Sequence, residues 1–372
     1  MRAAAPAARA RHRRTRHARR SRRARGCRKV VRAFPTRPPT AMPTPCRPAD
    51  VPELRRRSAN LAGLARNELV ECLDGPARGQ RRLEIDTPSG LSATLVVDRS
   101  LDVLSLRLGG ENVGWRGASG ARHPVPDPEG ERGLALMRSF DGFLVTCGLD
   151  HTGLPTVHGA DYLKYPPRAE TVHPLHGRLA TSPVTLTGYG IDAAGAGCAW
   201  ASAEVRQAGV FTEVLTLRRR IEIELGRPVL RVRDTVENEG YRPVPHQLLY
   251  HVNLGYPLLD ADARLTGDGW ELAHLLDGDG SAAVPSDDHE ELVDVGATPA
   301  DRFGLENAAT GLACTLRTDP ETLPVTAVWR AFQSGVFALG IEPQTGGGDE
   351  PLAMLGPGER RGYRLEVELG RG

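Results

Sequence analysis

Val214-Leu215-Thr216-Leu217-Arg218-Arg219-Arg220-Ile221-Glu222-Ile223-Glu224-Leu225-Gly226-Arg227-Pro228-Val229-Leu230-Arg231-Val232-Arg233-Asp234-Thr235-Val236 reads as two strands and the turn between them. Strand side chains alternate with period two, so Ile221, Ile223 and Leu225 share one face. Gly226-Arg227-Pro228 turns the chain, and Leu230, Val232 and Val236 return along the apolar face. The same alternation recurs on both sides of this hairpin. Leu91, Ala93, Leu95 and Val97 carry it, as do Leu104, Leu106 and Leu108, which run into Gly109-Gly110. Tyr363, Leu365, Val367 and Leu369 repeat it at the end of the chain.

Helical periodicity is confined to short pieces, mainly around residues 51–73. The 29 prolines and 42 glycines fall largely between the apolar runs, where turns need fixed or positive φ. Many short strands separated by turn signals predict an all-β sandwich or barrel. The stretch from Asp277 to Gly296 is acidic and poor in apolar residues, and reads as a surface loop. No internal repeat is visible, and one domain spanning about 50–372 accounts for the pattern.

The formal charge of +2 conceals a segregation. Residues 1–41 hold 15 Arg and Lys and no acid, the first acid being Asp50. The remainder has 33 basic residues against 46 acidic ones, a balance of −13. An acidic body repels nucleic acid backbones, so a nucleic acid partner is not expected. The Arg-rich opening has the composition of a basic arm or a transit peptide, without the apolar segment of a secretory signal. The simplest reading is a disordered extension, with Met42 beginning a more ordinary N-terminus.

No apolar run approaches the roughly 20 residues that span a bilayer, so no membrane partner is expected. The six cysteines, Cys27, Cys46, Cys72, Cys147, Cys198 and Cys314, are scattered and form no Cys-x-x-Cys pair. Structural zinc and a disulfide framework are therefore disfavoured, and a reducing cytoplasm fits best.

Phosphate-binding, dinucleotide-binding, nucleophile-elbow and His-Glu-x-x-His motifs are all missing, so no cofactor is implied. Three polar clusters remain. In His173-Pro174-Leu175-His176-Gly177-Arg178, a glycine lets the backbone turn tightly and bring the preceding imidazole to a ligand. A hydrogen-bonded loop histidine fits that pattern equally well. His151 and His158 are near in sequence, but His-x-x-His in a loop is poor ligand spacing without carboxylates, so no metal is expected. In Leu248-Leu249-Tyr250-His251-Val252-Asn253-Leu254-Gly255, a histidine sits inside a strand-like run, with Asn253 on its face. Taken alone, a buried histidine is more often structural. In Phe337-Ala338-Leu339-Gly340-Ile341-Glu342-Pro343-Gln344, a carboxylate ends an apolar run, where desolvation raises a carboxyl pKa toward that of a working base. A strand-end glutamate in solvent is the plainer alternative.

Together these clusters resemble the aldose 1-epimerase (galactose mutarotase) superfamily, and most of all its divergent aldose 1-epimerase-like branch. Arg99-Ser100-Leu101-Asp102 is similar to the Arg-Gly-Leu-Asp turn of that branch, with Ser in place of Gly. Gly142-Phe143-Leu144-Val145-Thr146-Cys147-Gly148-Leu149, Leu175-His176-Gly177, Tyr250-His251-Val252-Asn253-Leu254-Gly255-Tyr256-Pro257 and Gly340-Ile341-Glu342-Pro343 are similar to its other signatures. The likeness runs from about residue 80 to the end.

The resemblance implies a twisted antiparallel β-supersandwich with a polar cleft and a monosaccharide substrate. It implies an isomerase that interconverts sugar anomers, with Glu342 as general base and His251 as general acid on opposite sides of the sugar. It further implies that His176 holds the ring oxygen and that Arg138, Asn253 and Asp260 bind substrate. The residues after His251 depart from the His-x-Tyr-Phe-Asn segment of well-studied mutarotases, which bears on sugar specificity. Three rivals follow. One is a carbohydrate-binding protein without turnover on the same fold. Another is a lyase or glycosidase, which usually needs a second carboxylate. The last is a nucleic-acid binder resting on residues 1–41 alone.

Overall fold

The computed structural model describes residues 50–160, 167, 169–267, 284–287, 293–298, 301–346 and 353–371. The Arg-rich opening 1–41 and most of the acidic stretch after Asp277 lie outside the described residues.

The hairpin forms as its alternation requires. Val214–Glu224 pairs antiparallel with Val229–Asn238, in a register that sets Ile221 against Val232 and Ile223 against Leu230. These four side chains are fully buried. The pair lies in an eight-stranded sheet ordered Ala263–Gly267, Arg302–Asn307, Leu312–Thr318, Arg360–Arg371, Val229–Asn238, Val214–Glu224, Cys198–Ala208 and Thr185–Asp192. A five-stranded sheet near the N-terminus runs in chain order: Arg66–Glu71, Arg81–Asp86, Leu91–Val96, Asp102–Leu108 and Glu111–Asn112. A second five-stranded sheet is ordered Val293–Thr298, Val325–Ala331, Ala338–Gln344, Gln247–Leu254 and Leu144–Leu149. One apolar core draws on these three sheets.

Two expectations need correction. The helical periodicity expected around residues 51–73 forms only a helix over Val51–Arg57 and a short turn of helix at Leu61–Gly63, and Arg66–Glu71 is a strand paired with Arg81–Asp86. The helix begins with Pro52 in its first turn, with Asp50 as cap residue and Glu53 near the positive end of its dipole. The end of the predicted surface loop is also a strand. Val293–Thr298 pairs with Val325–Ala331 at the edge of its sheet.

The core contains charge that the alternation hides. Arg219 and Asp234 occupy inward positions of the hairpin, directly opposite each other. Both are buried, and the Arg219 guanidinium donates to both Asp234 oxygens at 2.9 and 2.6 Å. It also reaches Asp102 at 3.2 Å, and Arg99 lies 3.5 Å from the other Asp102 oxygen. Tyr250 donates to Asp234 at 2.8 Å. Opposite charges in direct contact offset the cost of removing each from water. The Arg99-Ser100-Leu101-Asp102 turn is therefore a structural junction between sheets. Ser100 adopts φ 47°, a conformation glycine takes freely. Its hydroxyl donates to the Leu179 carbonyl, which helps offset the strain in a residue that carries a Cβ.

Candidate active site

The sheet of Gln247–Leu254 and Ala338–Gln344 has two unlike faces. Leu248, Tyr250, Val252, Leu254, Leu339 and Ile341 point into the main core. Residues one step along each strand point the other way, as pleating demands. Val145, Cys147 and Leu249 on that second face pack against Leu136, Leu175 and Ala180 from two loops. His251, Glu342 and Trp329 stand beyond this apolar footing.

The register explains why they meet. Leu249 pairs with Gln344 and Val252 with Ile341, which sets His251 opposite Glu342. His251 Nε2 lies 3.1 Å from Glu342 Oε1. A carboxylate only accepts, so the Nε2 proton of His251 is directed at Glu342. Trp329 is opposite Gly340 in the next strand pair. A Cβ on Gly340 would fall 2.9 Å from Trp329 Cε3 and 3.1 Å from His251 Cε1, so glycine is what lets the indole close over the imidazole. The ring centroids of His251 and Trp329 are 5.7 Å apart, edge to face. Phe140 meets His251 from another side at 4.8 Å, and Trp115 lies behind Phe140 at 6.1 Å.

His176 arrives from a loop. Its φ is 56°, and three of its polar groups are held. Its backbone N–H donates to Gly153 at 2.8 Å, its carbonyl accepts from Gly148 at 3.0 Å, and its Nδ1 accepts from the Gly153 N–H at 3.2 Å. A backbone N–H can only donate, so the proton of the neutral His176 ring is on Nε2. Its ring centroid is 5.5 Å from that of His251. Gly177 is needed beside it, because a Cβ there would fall 2.4 Å from the Gly148 carbonyl oxygen.

Burial and the neighbouring His151 lower the His176 pKa to about 4. Burial, with His176 adding to it, lowers His251 well below the ordinary imidazole value. Both rings are neutral at neutral pH.

The structure thus brings Glu342, His251 and His176 together. Glu342 and His251 are side by side and in contact, not separated by the width of a sugar as the sequence reading had them. Asn253 is fully buried on the same strand, and its amide donates to the Gly142 carbonyl at 2.9 Å, fixing the segment next to Phe140. Arg138 is exposed and bonded to Glu131 at 2.7 Å. Asp260 accepts from the backbone of Ala261 at 2.9 Å. No described contact ties Arg138 or Asp260 to the three central residues.

His151 and His173 lie near His176 with ring centroids 5.1 Å apart. The His158 side chain is outside what is described. Among the described residues no group of three or more His, Cys, Asp or Glu is arranged to hold a metal, and no helix is long and apolar enough to cross a membrane. Trp329 and Asp150 were missed from sequence. Trp329 had one available signal, an aromatic residue in the Val325–Ala331 run next to the glutamate strand.

Several solved structures share this architecture. A candidate aldose 1-epimerase from Klebsiella pneumoniae aligns at TM-score 0.69 and 20% identity, covering 82% of this chain and 83% of that one. A galactose mutarotase-like protein from Clostridium acetobutylicum aligns at TM-score 0.54 and 13% identity, covering 83% and 98%. A candidate aldose 1-epimerase from Escherichia coli K12 aligns at TM-score 0.52 and 13% identity, covering 76% and 97%. The fold is the galactose mutarotase-like antiparallel β-sandwich. None of the curated proteins matches the chain. The chain belongs to the family described as a domain of unknown function, DUF4432, whose model matches residues 77–369.

Proposed function

We propose that the protein is an aldose 1-epimerase-like isomerase that interconverts the anomers of a free sugar. The observation that carries this reading is the Glu342–His251 contact of 3.1 Å with the His176 ring 5.5 Å from His251. Two imidazoles and one carboxylate converge there on an aromatic-walled face. That set suits a pyranose, whose C–H faces pack on aromatic rings and whose oxygens need donors and acceptors.

The reaction needs one proton removed and one supplied. Glu342 takes the proton from the anomeric hydroxyl. As the bond from C1 to the ring oxygen breaks, His251 gives the ring oxygen a proton, leaving an open-chain aldehyde. Rotation about C1–C2 exposes the other face of the carbonyl, and closure returns both protons. The Nε2–H of His176 hydrogen-bonds the ring oxygen throughout. His251 must enter this cycle as an imidazolium, which the adjacent Glu342 carboxylate would stabilise once a bound sugar displaces water.

A second reading has one observation in its favour. Imidazoles that are neutral at rest bind hydroxyls well and hold no spare proton, as suits a carbohydrate-binding protein without turnover. Polarimetry of freshly dissolved aldoses separates the two. An isomerase accelerates the approach to anomeric equilibrium for at least one sugar of a panel. A binder shifts no rate, and that outcome would remove the isomerase reading.

A further inference from the structure

Asp150 follows the strand Leu144–Leu149 and touches none of Glu342, His251 and His176 in the described contacts, yet it is almost fully buried. Its carboxylate has three partners. Arg178 Nη1 donates to Oδ2 at 3.0 Å, His173 Nδ1 lies 3.0 Å from the same oxygen, and Gln207 Nε2 donates to Oδ1 at 2.7 Å. Burial alone would raise its pKa, but His173, Arg178 and Gln207 together hold it down to about 2.

The placement of those partners gives the arrangement a purpose. His173, at the end of the strand Glu170–His173, and Arg178 bracket the loop that carries His176. One carboxylate oxygen gathers both ends. From the other side, the backbone flanking Asp150 binds the middle of the same loop. Gly148 N–H donates to the His176 carbonyl, Arg178 N–H donates to the Gly148 carbonyl at 2.9 Å, and Gly153 N–H donates to His176 Nδ1. Asp150 is thus at the centre of a segment that zips onto the His176 loop along its length. The bond that decides which His176 nitrogen carries the proton is the weakest of the set, at 3.2 Å. It persists only while both loops keep their register.

We propose that Asp150 is a positioning residue for His176: by tying His173 and Arg178 together it holds the loop in the geometry that keeps the His176 proton on Nε2, facing the sugar. This rests on the isomerase reading only where activity is concerned. Asparagine is nearly isosteric but neutral with a single acceptor oxygen, so Asp150→Asn loses the charge that draws His173 and Arg178 to Oδ2 and leaves one oxygen for three donors. The clamp should open locally.

The test is nitrogen-15 NMR of histidine-labelled full-length protein, with the His176 signal assigned by its loss in His176→Gln. In the parent chain His176 should show the single Nε2–H signature and titrate near pH 4. In folded Asp150→Asn the two tautomers should average and the midpoint rise by one unit or more. Anomer exchange should fall by about tenfold, as small displacements of a reacting group do. A merely structural role would lower the melting temperature and leave the tautomer unchanged. If Asp150→Asn does not fold, Arg178→Gln releases one end of the loop and should move the same signal. An unchanged His176 signature in a folded variant overturns the proposal. Absence of sugar exchange in the parent chain would sink the isomerase reading instead, and the imidazole signature would still decide the role of Asp150.

Discussion

Acidification from pH 7 to pH 4 should destabilise this fold through its buried histidines. His246 is fully buried, with Nδ1 on the Leu149 carbonyl at 2.8 Å and Nε2 on the Tyr363 hydroxyl at 2.7 Å. Burial lowers its pKa from the ordinary 6.5 to about 4. His176 is lowered to the same value. A histidine whose folded pKa is depressed binds its proton more weakly in the fold than in the unfolded chain. Its stabilising contribution is complete above about 6.5 and is lost as pH falls toward 4. A difference of about 2.5 pKa units at about 1.4 kcal/mol each amounts to about 3 kcal/mol per residue by pH 4. His246 and His176 together give about 6 kcal/mol, a large part of the 5–15 kcal/mol typical of a domain, and His251, lowered further by burial, adds to the same fall. Asp150, depressed to about 2, begins to lose its contribution only below the ordinary aspartate value of 3.8. Urea unfolding at pH 7, 6, 5 and 4 should therefore show midpoints falling steadily from about pH 6.5. His246→Gln keeps a donor and an acceptor without a titrating proton, and should remove about a third of the slope. Midpoints that hold constant from pH 7 to 4 and fall only below pH 4 would refute the reasoning.

Two further perturbations probe the support of the site. Asp234→Asn leaves Arg219 buried beside a neutral amide and should cost about 3–5 kcal/mol in urea unfolding; a loss under 1 kcal/mol would contradict the pairing described. Gly340→Ala puts a methyl group where Trp329 and His251 already touch. It should destabilise by about 1–3 kcal/mol and slow anomer exchange by about tenfold or more, and exchange at the parent rate would show that Trp329 and His251 need not be so close.

The fold was legible in sequence because period-two alternation is a property of single strands, and every strand tested by it buries the predicted face. Alternation says nothing of what else shares that face. Arg219 and Asp234 occupy inward positions among Ile221, Ile223, Leu230 and Val232, and their charge marks them as surface residues until the register sets them opposite each other. The candidate site was legible where a chemical group sits in an unlikely setting, as His251 and Glu342 do in apolar runs. Their direct contact was not, since it depends on which strands become neighbours. Arg138 and Asp260 illustrate the reverse limit. Each has suitable chemistry, but Glu131 holds one at the surface and a turn occupies the other. Asp150 went unnoticed because its importance comes from residues 23 and 28 positions away in the chain, which only the folded loops bring to it.

Glu342, as the group that takes the anomeric proton, is the centre of the proposed mechanism. Saturation exchange between the α and β anomer signals of an aldose, measured by NMR in the presence of the protein, reads that step without any coupling enzyme. The parent chain should exchange the anomers of at least one sugar faster than buffer alone. Glu342→Gln, folded and still able to bind the sugar, should exchange them about 10²–10⁴-fold more slowly. Exchange by Glu342→Gln at the rate of the parent chain would contradict the assignment.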